Sequence, residues 1–490
     1  MRIRFALVSL ASYVLPVAAF AEEPVKVSYY KDVRPILQQN CNGCHQPAKP
    51  LGGYVTTNHD DLLKAGEREK PGVVPGKPGE SYLLQQIKVQ ANGKAEMPRN
   101  RDPLNVIQIK TITDWIAQGA IDDTPASAKA TAVDAAHPPK YSAPPVVTAL
   151  SFSRDGTRLA VTGYHEILLY DTSKYALKSR LIGISERVQS VAYSPDGKKL
   201  AAVGGAPGRF GEIQIWNPDT EKLLVSAPVT FDTLYGVSWS PDGAMLAFGC
   251  SDNTVRAVDS LTGKQVLQMG THSDWVLNTV FSQDSLHLVS VGRDMSMKLT
   301  EVPTQRFIDN VTSITPGALK GGLMALDRRP SIERTVRVFG HTYALKRFQV
   351  VPNDTPGTKP NLYDELVVAG SDGIPRLYKM HREVKREIGD DSNRIREYEK
   401  MPGRISTVAF NPEGTKFVAV SSLDGKGEVR VYDTQTGAKV VCEKVTGPVY
   451  AAAWHPNGKL LASAGFDGIV WLHDPATGKL VTSFTVLPQK

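Results

Sequence analysis

The sequence predicts two domains of different fold class, a small all-α domain at residues 24–123 and a large all-β domain at residues 146–484. Apolar residues recur at helical spacing near both ends of the first region. The second region repeats short strands around turns of the Pro-Asp-Gly type. Residues 124–145 are rich in Ala, Pro, Ser and Thr, and we expect an extended, partly stiff linker there.

The first residues have the pattern of a secretory signal. Two arginines precede an apolar stretch that ends at Ala19-Phe20-Ala21, which fits an A-x-A cleavage site. The stretch is shorter than the roughly 20 residues of a membrane-spanning helix, and Pro16 interrupts it. We therefore predict that residues 1–21 are a signal peptide and that the mature chain has no transmembrane segment.

The charge of the chain argues against a nucleic-acid partner. Its formal net charge is +7, which is modest for 490 residues. The basic residues are scattered among acidic ones, without the clustered stripe that is typical of nucleic-acid-binding surfaces.

A C-x-x-C-H run, Cys41-Asn42-Gly43-Cys44-His45, is the attachment signature of c-type haem. Each thiol can form a thioether to one vinyl group of the same porphyrin, and the adjacent histidine can bind the iron from one face. A zinc half-site would need two further Cys or His ligands at matching spacing, and a redox dithiol would be expected in a βαβ setting. We therefore predict one covalent haem c on Cys41 and Cys44, with His45 as an axial ligand.

The motif and the signal support the same compartment. In bacteria, c-type haem is attached outside the cytoplasm, so the chain is predicted to be periplasmic. The other cysteines, Cys250 and Cys442, fall in separate repeats, and we expect both to be buried as small apolar side chains.

Two helices are predicted around this motif. Tyr30–Gln39 precedes it, and Asn105–Gln118 carries apolar residues at helical spacing and ends before Gly119. The second helix is expected to bury one face, formed by Val106, Ile109, Ile112 and Ile116. Terminal helices around a loop-rich middle are the layout of a small all-α monohaem cytochrome c domain.

Met97 is the predicted second axial ligand of the iron. It lies in Glu96-Met97-Pro98, just before the last helix, and no other methionine occurs between His45 and Met245. A thioether ligand favours the ferrous state and raises the reduction potential. His59 is the competing ligand, but its polar neighbours predict a surface position beside a helix N-cap.

The region after the linker is self-similar. Blocks such as Ser194-Pro195-Asp196-Gly197 and Ser240-Pro241-Asp242-Gly243 join two strands, and a third and a fourth strand follow. Four strands repeated every few tens of residues predict an all-β seven-bladed propeller. The predicted blades are 146–180, 188–226, 234–268, 275–309, 318–387, 405–441 and 448–484.

The fifth predicted blade is irregular. An insertion at Val351–Tyr363 interrupts it, and the charge-rich stretch His381–Lys400 follows it. We expect that stretch to be an exposed strand and loop.

The repeats resemble WD-repeat propellers, although the usual Gly-His is largely missing, which predicts an incomplete polar network in the blades. The first domain is similar to the c-type cytochrome domains of planctomycete-type exported proteins. The matching segments are Val33–Leu37, Cys41–His45, Gly52-Gly53, Leu62–Gly66, Val74–Gly76, Met97-Pro98 and Trp115–Ala120. This resemblance implies haem roles for Cys41, Cys44, His45 and Met97 and implies no substrate.

Electron transfer is the function that these features favour, with the propeller as a docking scaffold for an exported redox protein or enzyme. Two alternatives stay open. The chain could be an oxidoreductase that holds a substrate or second cofactor in the propeller funnel, or a haem-based redox sensor on an interaction scaffold. Fold alone does not decide between them.

Overall fold

The computed structural model describes residues 26–99, 101–128, 133–315, 318–330, 333–338, 341–346, 364–387 and 389–487, with the backbone alone for the two segments between 333 and 346. The predicted signal peptide at 1–21 and the insertion at Val351–Tyr363 lie outside these residues.

The first region is helical with one small hairpin. Its helices are α1 (Arg34–Asn40), α2 (His59–Leu62), α3 (Tyr82–Ile87) and α4 (Val106–Ala117), with a wider helical turn at Tyr29–Val33 before α1. Two-residue strands, β1 (His45–Gln46) and β2 (Lys49–Pro50), pair directly after the C-x-x-C turn. Helices occur where both were expected, but the region is not purely helical.

Helix α4 begins at a capping box. The Asn105 side chain accepts from the Gln108 amide, and the Gln108 side chain accepts from the Asn105 amide. Ile112 and Ile116 are buried as expected and Ile109 is partly buried, but Val106 is 82% exposed. Six residues at 3.6 per turn place Val106 about 120° round the helix from Ile112, so assigning it to the buried face was wrong.

One hydrophobic core holds this region together. Its fully buried members come from every helix, and Cys41, Met97 and Tyr54 pack against it from the edge. The buried members are Tyr29, Val33, Leu37, Leu62, Val73, Leu83, Ile87, Leu104, Ile112, Trp115, Ile116 and Ala120. The two ends of the region are therefore joined through α1 and α4.

The rest of the chain is mostly antiparallel sheet. The first sheet has seven strands in sequence order: β3 (Leu150–Phe152), β4 (Arg158–Thr162), β5 (Tyr164–Asp171), β6 (Leu177–Tyr193), β7 (Leu200–Ala206), β8 (Phe210–Asn217) and β9 (Lys222–Thr230). The long strand β6 pairs with β5 through its first part and with β7 through its second. The sequence predicted a break between blades here, but no turn interrupts the strand.

Two four-stranded sheets follow in sequence order. Their strands are β10 (Leu234–Trp239), β11 (Met245–Cys250), β12 (Val255–Asp259) and β13 (Gln265–Met269), then β14 (Val276–Phe281), β15 (His287–Gly292), β16 (Met297–Glu301) and β17 (Arg306–Asn310).

The next sheet contains the predicted irregularity. It orders β18 (Leu323–Arg328), β21 (Glu365–Gly370), β22 (Arg376–Lys379) and β23 (Arg394–Glu397), while β19 (Glu333–Val338) and β20 (His341–Lys346) pair with each other. The inserted chain therefore lies between the first two strands of this sheet. The charged stretch contributes β23, whose residues are all exposed, so this sheet extends beyond the predicted limit at residue 387.

The last two sheets are regular. They consist of β24 (Arg404–Phe410), β25 (Lys416–Leu423), β26 (Lys426–Asp433) and β27 (Lys439–Val441), then β28 (Val449–Trp454), β29 (Leu461–Gly465), β30 (Ile469–His473) and β31 (Leu480–Thr485). Strand β10 contacts β6 of the first sheet. The first strands of the later sheets contact one another in sequence order, and β28 contacts β3. The Val147 amide also donates to the Gly465 carbonyl at 2.9 Å. The arrangement is propeller-like.

The repeated turns share one hydrogen-bond pattern. The hydroxyls of Ser153, Ser194 and Ser240 each donate to the aspartate two residues later, at 2.5–2.6 Å. The glycine that ends these turns has a positive φ of 73° or 74°. This local chemistry explains why the repeats are visible in the sequence.

A polar network of the kind that was expected to be incomplete is present in one sheet. His272 Nδ1 lies 3.0 Å from Asp294, and its Nε2 lies 2.8 Å from the Ser290 hydroxyl. His272 and Ser290 are buried. The network in this sheet is therefore more complete than the missing Gly-His pairs predicted.

Candidate haem-binding site

The C-x-x-C-H residues form a tight turn at the end of α1. The Cys41 amide donates to the Leu37 carbonyl at 2.8 Å, and the Cys44 and His45 amides both donate to the Cys41 carbonyl at 3.0 Å. A buried hydrogen bond of 2.8 Å joins the Thr56 hydroxyl to the Asn42 side chain. The turn is therefore held both by backbone hydrogen bonds to α1 and by a side-chain hydrogen bond to Thr56.

His45 is oriented by a backbone carbonyl. Its Nδ1 lies 3.1 Å from the Tyr54 oxygen, which assigns the proton to Nδ1 and the lone pair to Nε2. Metal-bound histidines are usually held in this way through their second nitrogen. Burial lowers the pKa of His45, while the Tyr54 and Leu51 carbonyls act in the opposite direction.

Met97 and Cys41 pack against the same hydrophobic core. The Met97 amide donates to the Gln86 carbonyl at the end of α3, at 2.9 Å, which ties the methionine loop to the domain. The fold therefore brings Met97 to the core that the C-x-x-C-H turn borders. A haem between them would have apolar walls and two neutral donors, so the residues present fit a haem.

His59 is placed differently from the sequence prediction. It is the first residue of α2 and follows the N-cap Asn58, as expected. Its side chain is nevertheless only 12% exposed, and its Nε2 lies 2.7 Å from the Ala120 carbonyl. The ring also contacts Tyr29 and Trp115. The position next to the N-cap was predicted correctly, but the ring is not on the surface, because it packs on Tyr29 and Trp115 and joins α2 to the end of α4.

Burial, with a smaller contribution from Cys44, raises the pKa of Cys41 to about 12. Cys250 and Cys442 are buried as predicted. In the part of the chain that the structure describes, no three His, Cys, Asp or Glu side chains form a metal-binding group, and no helix is long and apolar enough to cross a membrane.

The haem-binding segment also contacts the sheet region, which the sequence did not indicate. Gln46 follows His45 directly, and its Nε2 donates to the Ser226 hydroxyl on β9 at 2.9 Å. Lys49 Nζ donates to the Leu224 carbonyl at 2.6 Å. A Cβ on Gly43 would lie 2.5 Å from the Ser226 carbonyl, so the close approach of the two backbones needs glycine here.

A buried carboxyl lies on the sheet side of this contact. Glu212 is fully buried and accepts from the Ser185 hydroxyl at 2.6 Å, from Gln214 Nε2 at 2.7 Å, and from the Ser226 hydroxyl. Burial raises the pKa of Glu212, and its hydrogen bonds offset part of that effect. No sequence pattern pointed to this residue.

A cavity lies among the inner strands of the sheets. It has a volume of about 1080 Å³, and both Trp239 and Trp454 line it. Asp327 also lines it, and burial raises the pKa of that carboxyl to about 6, against hydrogen bonds from the Phe410 and Arg328 amides. The space is large enough for a small molecule.

Comparison with protein families confirms the predicted combination. Residues 41–100 match the family described as Planctomycete cytochrome C. Residues 214–284 match the Anaphase-promoting complex subunit 4 WD40 domain, and residues 440–474 match the WD domain, G-beta repeat. The chain therefore joins a planctomycete-type c-type cytochrome domain to WD repeats.

Curated relatives are WD-repeat proteins. The WD repeat-containing protein 91 homolog of Dictyostelium discoideum is 30% identical over 109 residues, 22% of this chain and 14% of that protein. The Periodic tryptophan protein 2 homolog of Caenorhabditis elegans is 22% identical over 37% of this chain and 20% of its own length. The Serine-threonine kinase receptor-associated protein of Mus musculus is 22% identical over 50% of this chain and 68% of its own length. The chain thus spans only a small part of the first two relatives.

Proposed function

We propose that the chain is an exported, periplasmic c-type cytochrome that transfers single electrons to or from a partner docked on the protein. Cys41 and Cys44 hold one covalent haem c, and His45 and Met97 supply its axial ligands. The haem supplies an iron that changes oxidation state by one electron.

The observation that carries this proposal is the position of His45. The Tyr54 carbonyl holds Nδ1 at 3.1 Å, so Nε2 is the nitrogen available to iron, and the attachment cysteines lie in the same turn. The match of residues 41–100 to Planctomycete cytochrome C also supports haem binding.

Met97 determines which chemistry the site supports. A methionine at the second axial position leaves no open coordination site, which favours electron transfer over reaction at the iron. Met97 and Cys41 both pack against the hydrophobic core of this region, which supports that role.

We infer that the sheets form a closed seven-bladed propeller. Strand β6 would serve as the outer strand of the first blade and the inner strand of the second, which yields seven groups of four. Contacts between β28 and β3, and a hydrophobic cluster shared by the first and last sheets, support closure. WD repeats generally mediate protein–protein contacts, so this part is proposed to dock the redox partner.

One observation favours a second function. The cavity of about 1080 Å³ among the inner strands could hold a small substrate, which would make the chain an oxidoreductase whose haem removes electrons. A redox sensor built on a scaffold differs from both in changing partner affinity with the oxidation state of the haem.

Visible spectroscopy of the purified protein separates these functions. Electron transfer predicts one haem per chain, low-spin in both oxidation states and unreactive with carbon monoxide. High-spin iron, carbon monoxide binding or a second chromophore would contradict electron transfer and favour the enzyme. Partner affinity that changes between the oxidised and reduced protein would favour the sensor.

A further inference from the structure

A short hydrogen-bonded chain connects Glu212 to the segment that binds the haem. The Glu212 carboxyl accepts from the Ser226 hydroxyl, which accepts from Gln46 Nε2 at 2.9 Å. Gln46 is bonded to His45, and its Nε2 also donates to the Asn42 carbonyl in the C-x-x-C turn at 3.0 Å. Two hydrogen bonds and the backbone of one residue therefore link a propeller carboxyl to the proposed iron ligand.

The hydrogen-bond donors to Glu212 in the described part of the chain are uncharged side chains. Its strand partners are Gly204 on β7 and Pro228 on β9, and its hydrogen-bond donors are serine and glutamine side chains. Arg187 on β6 and Lys222 on β9, which the structure describes, form no ion pair with Glu212. Arg209 pairs with Glu186 next to Ser185 on β6, and Lys49 on β2 donates to a carbonyl. Among the described residues, no Lys, Arg or His forms an ion pair with Glu212.

A buried carboxyl in such a setting favours its neutral form, because ionisation leaves a charge without solvent or counter-ion. Burial accordingly raises the pKa of Glu212. Any positive charge that appears nearby then favours ionisation. Oxidation of a haem on Cys41 and Cys44 adds one positive charge on the other side of the Gln46 contact.

We propose that Glu212 is a redox-linked proton site, which keeps a proton on its carboxyl oxygens while the iron is ferrous and releases it to water when the iron is oxidised. One electron passes from the iron to a one-electron acceptor, and one proton leaves Glu212, so the net charge of the site is unchanged. This inference rests on the proposed haem function. Proton release from Glu212 and oxidation of the iron are then linked equilibria, and each favours the other by the same factor. The reduction potential therefore falls as the pH rises.

Potentiometric titration of the full-length holoprotein over a pH series tests the proposal, with ferricyanide and dithionite as titrants and covalent haem measured first. In the wild type the potential is expected to fall with rising pH by up to about 59 mV for each tenfold change in proton activity. Glu212→Gln keeps the size of the side chain and one accepting oxygen but cannot release a proton, and it should remove this dependence. Asp327→Asn is the matched control, since it changes another carboxyl with a raised pKa that lies in a different sheet, and it should keep the dependence.

Infrared spectroscopy provides a readout that does not depend on a variant folding. The reduced-minus-oxidised difference spectrum of the wild type should contain the C=O band of a protonated carboxyl group. If that band is absent, or if Glu212→Gln keeps the pH dependence of the wild type, the proton is held elsewhere and the inference is wrong. If the protein carries no covalent haem, it is the proposed function that fails.

Discussion

The haem-binding region and the sheet region differ in where their chemistry lies. In the first, one turn of five adjacent residues, Cys41–His45, carries the proposed attachment sites and a proposed iron ligand, and nearby carbonyls orient it. In the second, turns and strands are repeated along the chain, with one inserted hairpin and one long shared strand, and no described segment carries a comparable signature. A local motif therefore indicates a reaction, whereas a repeat indicates an architecture.

The two regions also differ in how substitutions should affect them. Haem binding depends on a few side chains, so their loss should remove function and leave the sheets intact. The stability of the sheet region depends on buried apolar side chains and polar networks, so their loss should lower stability and leave the haem spectrum unchanged. Variants in each region can test this separation directly.

His45→Ala is expected to have the largest effect. It removes the proposed axial nitrogen, so the low-spin spectrum should be lost while the far-ultraviolet circular dichroism of the sheets stays unchanged. His137→Ala is the control, because that side chain is 70% exposed in the linker, and its visible spectrum should match the wild type. An unchanged spectrum in His45→Ala would show that another residue ligates the iron.

Met97→Ala should have the next largest effect. The haem stays attached through Cys41 and Cys44, but the sixth position opens, so the reduction potential should fall and carbon monoxide should bind to the ferrous protein. Met295→Ala, at a methionine that is 44% exposed in the sheet region, should show neither change. If both variants behave like the wild type, the iron has a different sixth ligand.

Phe417→Ala tests the other side of the comparison. This ring is fully buried and stacks on Tyr432 with centroids 5.1 Å apart, so its removal should lower the free energy of unfolding by about 3–5 kcal/mol. Denaturant unfolding followed by circular dichroism measures the loss. Phe466→Ala, at a ring that is 59% exposed, should stay within about 0.5 kcal/mol of the wild type. Equal losses in the two variants would contradict the packing described here.

Asp294→Asn should have the smallest effect on stability, and this effect should appear only at pH values at which Asp294 is ionised. Burial acts to raise the pKa of Asp294. The hydrogen bond and charge of His272 and the hydrogen bond of Ser296 outweigh burial and lower this pKa to about 2. A depressed pKa adds stability above the ordinary value near 3.8, and that stability is lost as the pH falls towards 2. As the pH falls over this range, the free energy of unfolding of the wild type should therefore decrease by on the order of 2 kcal/mol more than that of Asp294→Asn.

Thermal unfolding between pH 4 and pH 2 measures this difference. Asp219→Asn, at a carboxylate that is 67% exposed, serves as the control and should follow the wild type. Parallel pH profiles for wild type and Asp294→Asn would show that the His272 network does not stabilise the sheet.

Features with a local cause were the ones that the sequence predicted well. Helix α4 was predicted because its apolar periodicity lies within a dozen residues and Gly119 follows it closely. The Ser-Pro-Asp-Gly turns were predicted because their hydrogen bonds span two residues. The burial of His59 was missed because it depends on Ala120, 61 residues away.

The contact between the regions was beyond any local pattern. Gln46 and Ser226 are 180 positions apart, and both are ordinary polar residues in their own segments. The hairpin β19–β20 and the uninterrupted strand β6 likewise depend on pairing across the fold. Residues that contact each other across two domains have no characteristic spacing in the sequence, so their contact is seen only in the folded structure.

Acidic solvent extraction of the denatured native protein tests the central claim most directly. If Cys41 and Cys44 are bonded to the porphyrin, the haem absorbance stays with the polypeptide, and it maps to a peptide that contains residues 41–45. If the absorbance moves into the solvent and the polypeptide is colourless, the haem is not covalently held and the proposed c-type cytochrome is contradicted.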